Sequence, residues 1–199
     1  MSTGNANVIM STGDRLATLM RLGQTVFHAA DLARAWGIFD QNTLHTTLKR
    51  YCQRGFIFRI YRGFYALRPV AELNPWYVGI KALHGYGYVG AESVLAQAGA
   101  ISQRVEKITL ISGQSKNFKI NGQSYRVRQL KDEFLYNDIG TASDNNGVRG
   151  ATPERAVADL LYFNPRAHFD GPVDWPKVKQ IQAAVGYPPT PQRHRPTAP

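Results

Sequence analysis

The N-terminal part of the chain carries apolar residues at the spacing of short amphipathic helices. In the first helix Leu16, Leu19 and Met20 fall on one face, and Asp14 is placed to cap it. The pattern predicts three helices, over residues 15–22, 29–36 and 41–54. Residues 1–13 are rich in Ser, Thr, Gly and Asn, and we expect them to be disordered.

The apolar spacing changes from helical to alternating just after the third helix. Two strands are predicted, over residues 56–60 and 64–67, with Gly63 supplying the positive φ that the turn between them requires. Alternation along the first strand places Ile57 on the same side as Arg59.

The third predicted helix has a polar face that suits a nucleic acid. Leu44, Leu48 and Tyr51 fall within one apolar sector, and residues that pair with bases and phosphates lie opposite. Asn pairs with adenine, Arg with guanine, and Lys with the backbone. The predicted contact residues on this helix are Asn42, Thr43, Thr46, Lys49, Arg50, Gln53 and Arg54. The alternative for an isolated helix is a solvated face.

The hairpin adds four candidate contacts. Arg59, Tyr61, Arg62 and Arg68 are placed to reach phosphates or a minor groove. Three short helices followed by a basic hairpin are typical of a winged helix-turn-helix, which we predict over residues 14–70 as a DNA-binding domain. The alternative is an ordinary hairpin with soluble edges.

A second, larger α+β domain with an antiparallel sheet is predicted over residues 76–187. It follows a connector at residues 69–75 that has a proline at each end. Asn121–Gly122 is the strongest hairpin signal in the chain. Helices are predicted over residues 76–84, 91–98, 153–163 and 175–185, and strands over residues 107–112, 117–120, 123–130 and 134–139. Residues 141–150 are predicted to be a polar loop, and the Pro-rich residues 188–199 a flexible tail.

The charge of the chain favours a polyanionic partner or an acidic protein surface. Net charge is +10 with a pI near 9.9. Residues 1–70 carry nine Lys/Arg against three Asp/Glu, so the smaller predicted domain is strongly basic. The single cysteine, Cys52, excludes an intramolecular disulfide and is predicted to be a small core residue. No signal peptide and no apolar stretch of the ~20 residues of a membrane span is present, so we expect a cytoplasmic protein.

No catalytic constellation stands out in the sequence. The five histidines lack the spacing of metal ligands, and no Ser fits a nucleophile elbow. We therefore expect no enzyme activity, no metal and no cofactor. A metal-dependent nuclease stays open as an alternative, because acids near strands could bind its metal. Its candidate ligands are Asp132, Glu133, Asp138, Glu154 and Asp159.

A second basic surface is predicted on the strands of the larger domain. Residues 104–131 hold seven Lys/Arg and one acid, Glu106. The surface would meet DNA, RNA or an acidic protein, and the alternative is a solvated sheet face. Its candidate residues are Lys107, Lys116, Lys119, Arg126, Arg128 and Lys131.

Five segments follow one another along the chain in this order: RGFYAL, YVGAESVLAQAGAI, KITLIS, YRVRQL and ATPERAVADLLYF. Taken together, they resemble the AbiEi-type antitoxins of bacterial abortive-infection systems, which are type IV toxin–antitoxin systems. The resemblance spans residues 14–187. It implies an N-terminal winged helix and a C-terminal domain that contains a helix like ATPERAVADLL.

The resemblance implies a transcription regulator that binds double-stranded DNA and represses its own operon at an inverted repeat. It also implies an antitoxin role against a nucleotidyltransferase toxin, without a stable complex between the two. Thr43, Thr46, Lys49 and Arg50 would match the recognition helix, and Arg59, Arg62 and Gly63 the wing. Pro153–Leu161 would be a structural segment, and Thr152 replaces the Ser that the family often has at the helix cap.

Three interpretations follow, and the first is favoured. The chain is a sequence-specific DNA-binding repressor and antitoxin. The alternatives are a nucleic-acid-processing enzyme whose winged helix positions the substrate, and a basic protein-interaction module that uses its sheet.

Overall fold

The structure of the protein is a computed structural model in which residues 10–145 and 147–189 are described. The chain divides into two compact units, Met1–Leu73 and Asn74–Pro199. Residues 1–9 of the predicted disordered segment and residues 190–199 of the predicted tail lie outside the described residues. The fold is α+β, with an antiparallel sheet in the first unit and a mixed sheet in the second.

The first unit runs helix, strand, helix, helix, strand, strand. Its helices are α1 (Thr12–Arg21), α2 (Ala29–Trp36) and α3 (Gln41–Gln53), and its strands are β1 (Val26–His28), β2 (Phe58–Tyr61) and β3 (Phe64–Ala66). A 3-10 turn at Val70–Glu72 follows. The three strands form an antiparallel sheet in the order β1–β3–β2.

The start of α1 differs from the prediction. Its N-cap is Ser11, whose Oγ accepts a hydrogen bond from the backbone N–H of Asp14 at 3.2 Å. The Asp14 carboxylate in turn accepts from the backbone N–H of Ser11 at 3.1 Å. Asp14 is thus the third helical residue of a capping box, not the cap, and the helix begins three residues earlier than predicted.

The helices of the first unit enclose one apolar core. The residues exposed by at most 3% include Leu19, Leu32, Leu44, Leu48 and Tyr51. Burial of each of these side chains contributes about 1.5–3 kcal/mol relative to an exposed position. The indole N–H of Trp36 donates to the carbonyl of Arg15 at 3.1 Å, which ties α2 to α1.

Alternation predicted Ile57 and Arg59 on the same side of the strand, but the structure places them in different environments. Ile57 is 2% exposed, whereas Arg59 is exposed. The reason is that β2 begins only at Phe58, so Ile57 belongs to the turn after α3 and the alternating pattern does not reach it. A register shift between Arg59 and Tyr61 further disturbs the pairing of β2 with β3.

The second unit is built on a six-stranded sheet. Its strands are β4 (Gly87–Val89), β5 (Lys107–Ser112), β6 (Lys116–Ile120), β7 (Gln123–Gln129), β8 (Thr141–Ser143) and β9 (Arg149–Ala151). Its helices are α4 (Pro75–Lys81), α5 (Ala91–Gln97), α6 (Asp132–Leu135), α7 (Pro153–Phe163) and α8 (Trp175–Val185). The strand order is β6–β7–β5–β4–β9–β8.

This sheet is mixed, and the prediction of an antiparallel sheet was wrong. β6 and β7 form the predicted hairpin, but β6 lies at the edge and β7 inserts between β6 and β5. The chain therefore reverses twice before β7 meets β5, and the two pair in parallel from Lys107↔Ser124 to Ser112↔Gln129. β4 and β9 are also parallel, with Val89 opposite Gly150.

Two further segments differ from their predictions. The predicted strand over residues 134–139 does not form, and its first two residues belong to the short helix α6. Asp132 and Glu133 lie in the first turn of α6, where negative charge stabilises a helix. The predicted loop over residues 141–150 contains β8 and β9. These strands pair with each other, and β9 also pairs with the distant strand β4. Each strand has only three residues, which is too short for an alternating pattern to show in the sequence.

Glycine has a structural role at two places in this sheet. A Cβ on Gly87 would lie 2.6 Å from the carbonyl oxygen of Ile111 and 2.4 Å from a methyl group of Leu83, so only glycine allows β4 to approach β5 here. In the turn between β6 and β7, Asn121 and Gly122 have φ values of 46° and 83°. The hairpin predicted from this dipeptide is confirmed.

A buried polar cluster holds the end of the second unit together. Arg155 and Asp159, one turn apart on α7, are both 0% exposed, and Arg155 Nε donates to Asp159 Oδ1 at 2.8 Å. The hydroxyls of Tyr88 and Tyr187 also donate to Asp159, at 2.9 and 2.7 Å. Arg155 further donates to the carbonyls of Phe134, Asn137 and Ile139.

Burial decides the ionisation behaviour of this cluster. It raises the pKa of the Asp159 carboxyl, against the opposing charge of Arg155. It also raises the pKa values of Tyr88 and Tyr187 well above their ordinary value, so both phenols stay protonated and keep donating. Arg155 and Asp159 of the ATPERAVADLL segment thus have a structural explanation.

Among the described residues, no helix combines the length and the apolar character that a membrane crossing requires.

Candidate nucleic-acid interface

Helix α3 is fixed at its start by a side-chain cap. One carboxylate oxygen of Asp40 accepts from the backbone N–H of Thr43 at 2.7 Å and from its hydroxyl at 2.6 Å. These hydrogen bonds lower the pKa of Asp40. Leu44, Leu48 and Tyr51 then bury one face of the helix, so its polar residues face solvent.

The structure places every contact residue predicted on α3 at the surface. Asn42, Thr43, Thr46, Lys49, Arg50 and Gln53 are exposed along the helix, and Arg54 is exposed as its C-cap. Asn42, Thr46 and Arg50 are spaced by four residues and form one row along the helix. Lys49 and Gln53 form a neighbouring row.

The hairpin β2–β3 carries its predicted residues outward as well. Arg59 lies on β2, Arg62 in the turn, and Arg68 after β3, and all three are exposed. Tyr61 is 37% exposed, and its ring lies 4.9 Å from that of Phe64, which fixes the position of the phenol. Burial raises the pKa of Tyr61, so its hydroxyl is a hydrogen-bond donor at neutral pH.

The cations of this surface are not neutralised within the described part of the chain. Lys49, Arg50, Arg54, Arg59, Arg62 and Arg68 make no ion pair with a described acid. The nearby acids are engaged elsewhere, because Asp40 caps α3 and Asp31 pairs with Arg34 at 3.0 Å. The positive charge of α3 and of the hairpin is therefore available to a polyanion.

A polar pocket adjoins the first half of α3 and was not predicted. It has a volume of about 580 Å³ and lies between the start of α1 and the row of Asn42, Thr46 and Arg50. Arg15 and Thr47 line it too. One signal was available in the sequence: Thr47 is a polar residue within the apolar sector of α3, and it is 5% exposed. The position of Arg15 depends on how α1 packs and has no local signal.

The second predicted basic surface is smaller than expected. Lys107 and Lys119 both lie opposite Ser124, one on each neighbouring strand. Arg126 is two residues along the same strand from Ser124 and therefore points to the same face. These three cations share one face of the sheet. All three are exposed. Lys116 points to the other face, since it pairs with Val127, and its ammonium lies 3.5 Å from the carbonyl of Ala82.

The remaining two residues of that prediction are neutralised. Arg128 forms an ion pair with Glu92 and lies over the ring of Phe163 at 5.2 Å. Lys131 pairs with Glu133 at 3.7 Å. Three of the six predicted cations therefore form the surface.

The acids considered for a metal site are scattered. Asp159 is buried against Arg155, and Glu154 pairs with Lys177 at 3.2 Å. Asp138 is exposed and accepts from the hydroxyl of Tyr86 and from Arg149, each at 2.7 Å, and the first of these hydrogen bonds lowers its pKa. In the described ranges, no group of three His, Cys, Asp or Glu side chains is placed to hold a metal ion.

Comparison with known proteins gives little. No family model and no curated protein matches the chain. Three chains of solved structures match. One is from the crystal structure of the RV2827C protein from Mycobacterium tuberculosis, at 12% sequence identity and a TM-score of 0.49, with 87% of this chain and 70% of that chain covered. A likeness of this degree carries no argument about function.

Proposed function

We propose that the protein is a sequence-specific DNA-binding transcriptional regulator whose first unit is a winged helix-turn-helix. In this proposal α3 lies in the major groove as the recognition helix. The hairpin β2–β3 is the wing and contacts the phosphate backbone or the minor groove.

The observation that carries the proposal is that α3 and the hairpin both expose cations and base-pairing side chains, and that these cations form no ion pair with a described acid. Arg50 and Asn42 have the hydrogen-bonding groups that read guanine and adenine. Lys49, Arg59 and Arg62 are exposed, make no ion pair with an acid in the described ranges, and suit phosphates. The order of helices and strands in the first unit gives independent support, since it matches that of a winged helix.

The biological role that we propose is autorepression by an antitoxin, in the cytoplasm, without a catalytic activity of its own. This part rests on the resemblance to AbiEi-type antitoxins. The protein would bind an inverted repeat in its own promoter and would counter a nucleotidyltransferase toxin from the same operon. The exposed face with Lys107, Lys119 and Arg126 is a second surface that would meet a polyanion.

The test is a binding measurement with the full chain and two labelled duplexes. One duplex carries the chain's own promoter, and the other has the same base composition in scrambled order. Fluorescence anisotropy at several salt concentrations gives the affinity for each and the slope of log K against log [salt]. We expect the promoter to bind roughly a thousandfold or more tightly than the scrambled duplex.

Footprinting on the same promoter then locates the site. Protection of two half-sites related by an inverted repeat supports the repressor model. Equal affinity for the two duplexes would contradict sequence-specific binding. Absence of binding to both duplexes would contradict DNA binding altogether.

A further inference from the structure

The sheet of the second unit ends in a strand that is paired on one side only. β6 is the first strand in the order β6–β7–β5–β4–β9–β8, and its pairing with β7 runs from Lys116↔Val127 to Ile120↔Gln123. Within the described ranges, no backbone group outside β7 forms a hydrogen bond with the backbone of β6. The outward N–H and C=O groups of β6 therefore form a template for one more strand.

The two edges of this sheet are protected to different degrees. Proteins protect a sheet edge with a very short strand, a bulge, a proline or charged side chains. At the opposite edge β8 has three residues, whereas β6 has five and contains neither a bulge nor a proline. The protection that β6 has is the charge of its lysines, which repels a basic strand and attracts an acidic one.

The side chains of β6 on one face hold the strand in place. The ring of Phe118 stacks on that of Tyr125 at 4.7 Å, and the hydroxyl of Tyr125 donates to the carbonyl of Pro75 at 2.9 Å. The ammonium of Lys116 donates to the carbonyl of Ala82 at 3.5 Å. An edge that is already ordered loses little conformational entropy when a further strand binds to it.

The opposite face of β6 continues into the exposed cations of the sheet. Asn117 and Lys119 point to this face, which also carries Lys107 and Arg126. The three cations form no ion pair with a described acid. All 14 Asp and Glu residues of the chain lie within the described ranges, so the rest of the chain holds no counter-charge for them.

We propose that the outer edge of β6 binds an extended acidic segment of a partner protein as an additional strand of the sheet. Backbone hydrogen bonds to the edge provide affinity, and the side chains on the two faces provide specificity. The proposal rests on the proposed function only where that function gives the face with Lys107, Lys119 and Arg126 a polyanionic partner. It does not depend on DNA binding by α3.

The register of β6 defines the sequence pattern of the segment. An acid directly opposite Lys119 is within reach of its ammonium, because opposed Cβ atoms are about 4.5–5.5 Å apart. The next position on this face lies opposite Asn117, with Arg126 on the far side of Asn117. The positions between them lie beside Phe118 on the other face, where an apolar residue fits. The segment therefore alternates acidic and apolar residues.

A second copy of this chain fits the edge less well. Pairing of two β6 strands would bring two sets of the same three cations together in a chain whose net charge is +10. Residues 1–9 and 190–199 contain no Asp or Glu, so these segments do not supply the acidic strand. Charge complementarity thus favours another protein.

The first experiment tests the pattern of the segment. The full chain, labelled with ¹⁵N, is titrated with a short peptide that alternates glutamate with valine, and amide shifts are followed by NMR. The control peptide has the same composition, with the glutamates in one block and the valines in another. We expect the amides of Asn117, Phe118 and Lys119 to shift with the alternating peptide and not with the control. Equal shifts with both peptides would mean that charge alone is recognised, which overturns strand addition.

The second experiment tests backbone pairing. In one version of the alternating peptide every valine is N-methylated, and in another every glutamate, so that each version lacks the N–H donors of one edge. We expect at least one version to bind roughly tenfold or more weakly than the unmethylated peptide. If both versions bind as tightly as the unmethylated peptide, no strand is added to β6 and the proposal fails.

The third experiment tests the cation nearest the edge. Lys119→Glu should weaken binding of the labelled alternating peptide roughly tenfold in fluorescence anisotropy, and Lys119→Gln should weaken it less. Lys179→Glu is the matched control, because it makes the same charge change at an exposed position on α8. An equal effect of Lys119→Glu and Lys179→Glu would show that only net charge matters, against the proposal.

Binding of the promoter duplex is measured on the same variants and separates this proposal from the proposed function. Tight duplex binding without any peptide binding overturns the strand site and leaves the DNA-binding proposal intact. Peptide binding by a protein that binds no duplex supports the strand site and contradicts the DNA-binding proposal. Loss of duplex affinity in Lys119→Glu alone, without peptide binding, assigns the face to nucleic acid and overturns the acidic segment. Broadening of the β6 amides with protein concentration, in the absence of peptide, assigns the edge to a second copy and overturns it too.

Discussion

Arg155 and Asp159 form an ion pair with both side chains fully buried, and each has further partners. Arg155 donates to three backbone carbonyls besides the carboxylate, and Asp159 accepts from two tyrosine hydroxyls. A buried charge is tolerated when its hydrogen-bonding capacity is filled in this way. The pair therefore joins α7 to β4, to the segment after β7 and to Tyr187.

Removal of Arg155 should strongly destabilise the second unit. Arg155→Met leaves a buried carboxylate without its cation and leaves three carbonyls without donors. We expect a loss of about 3–5 kcal/mol in the free energy of unfolding. Urea unfolding followed by circular dichroism measures it. Lys131→Met is the control, because it breaks an exposed ion pair with Glu133 in the same unit, and such a pair contributes about 0–1 kcal/mol. Equal effects of the two variants would contradict the structural role of the cluster.

Replacement of the proposed base-reading residues should reduce specificity more than affinity. Arg50→Ala or Thr46→Ala removes a predicted base contact on α3, and each such contact is worth roughly 1–3 kcal/mol of discrimination. Anisotropy with the promoter and scrambled duplexes measures the ratio of affinities. Arg21→Ala, in which α3 is untouched, should leave that ratio unchanged. An equal loss of affinity for both duplexes would show that Arg50 and Thr46 do not read bases.

The sequence predicts an element well when the residues that stabilise it are close to one another along the chain. Asp40 and the apolar residues Leu44 and Leu48 define α3 within one stretch, and its predicted start at Gln41 is confirmed. The strand β5 is likewise confirmed at both ends, because Lys107–Ser112 is a short apolar run that starts with a charge.

The features missed from the sequence depend on distant partners. The pair of Arg155 and Asp159 has the spacing of an exposed helical ion pair. Its burial follows from Tyr88 and Tyr187, which are 67 residues from Arg155 and 28 residues from Asp159. The parallel pairing of β5 with β7 and the pocket beside α3 also depend on packing between segments. No local periodicity contains this information.

Removal of Arg62 from the proposed wing should weaken binding to every duplex alike. Arg62 is exposed in the turn of the hairpin, where a phosphate contact carries no sequence information. Arg62→Ala should therefore lower the slope of log K against log [salt] by about one for both duplexes. Arg166→Ala, an exposed residue of the second unit, controls for loss of charge. If Arg62→Ala leaves the salt slope unchanged, Arg62 does not contact a phosphate.

The cap of α3 should make the stability of the first unit depend on pH in acid. Hydrogen bonds from Thr43 lower the pKa of Asp40 in the folded state below its unfolded value of about 3.9. The stabilisation is thus fully present above the unfolded pKa and is lost as the pH falls through the folded pKa. Asp40→Asn keeps a cap that does not titrate. We expect its urea midpoint to fall less steeply than that of the parent between about pH 5 and pH 2. Asp40→Ala should lower the midpoint at neutral pH as well, because it removes the cap. Parallel pH curves for the parent and Asp40→Asn would mean that Asp40 does not contribute to the acid sensitivity.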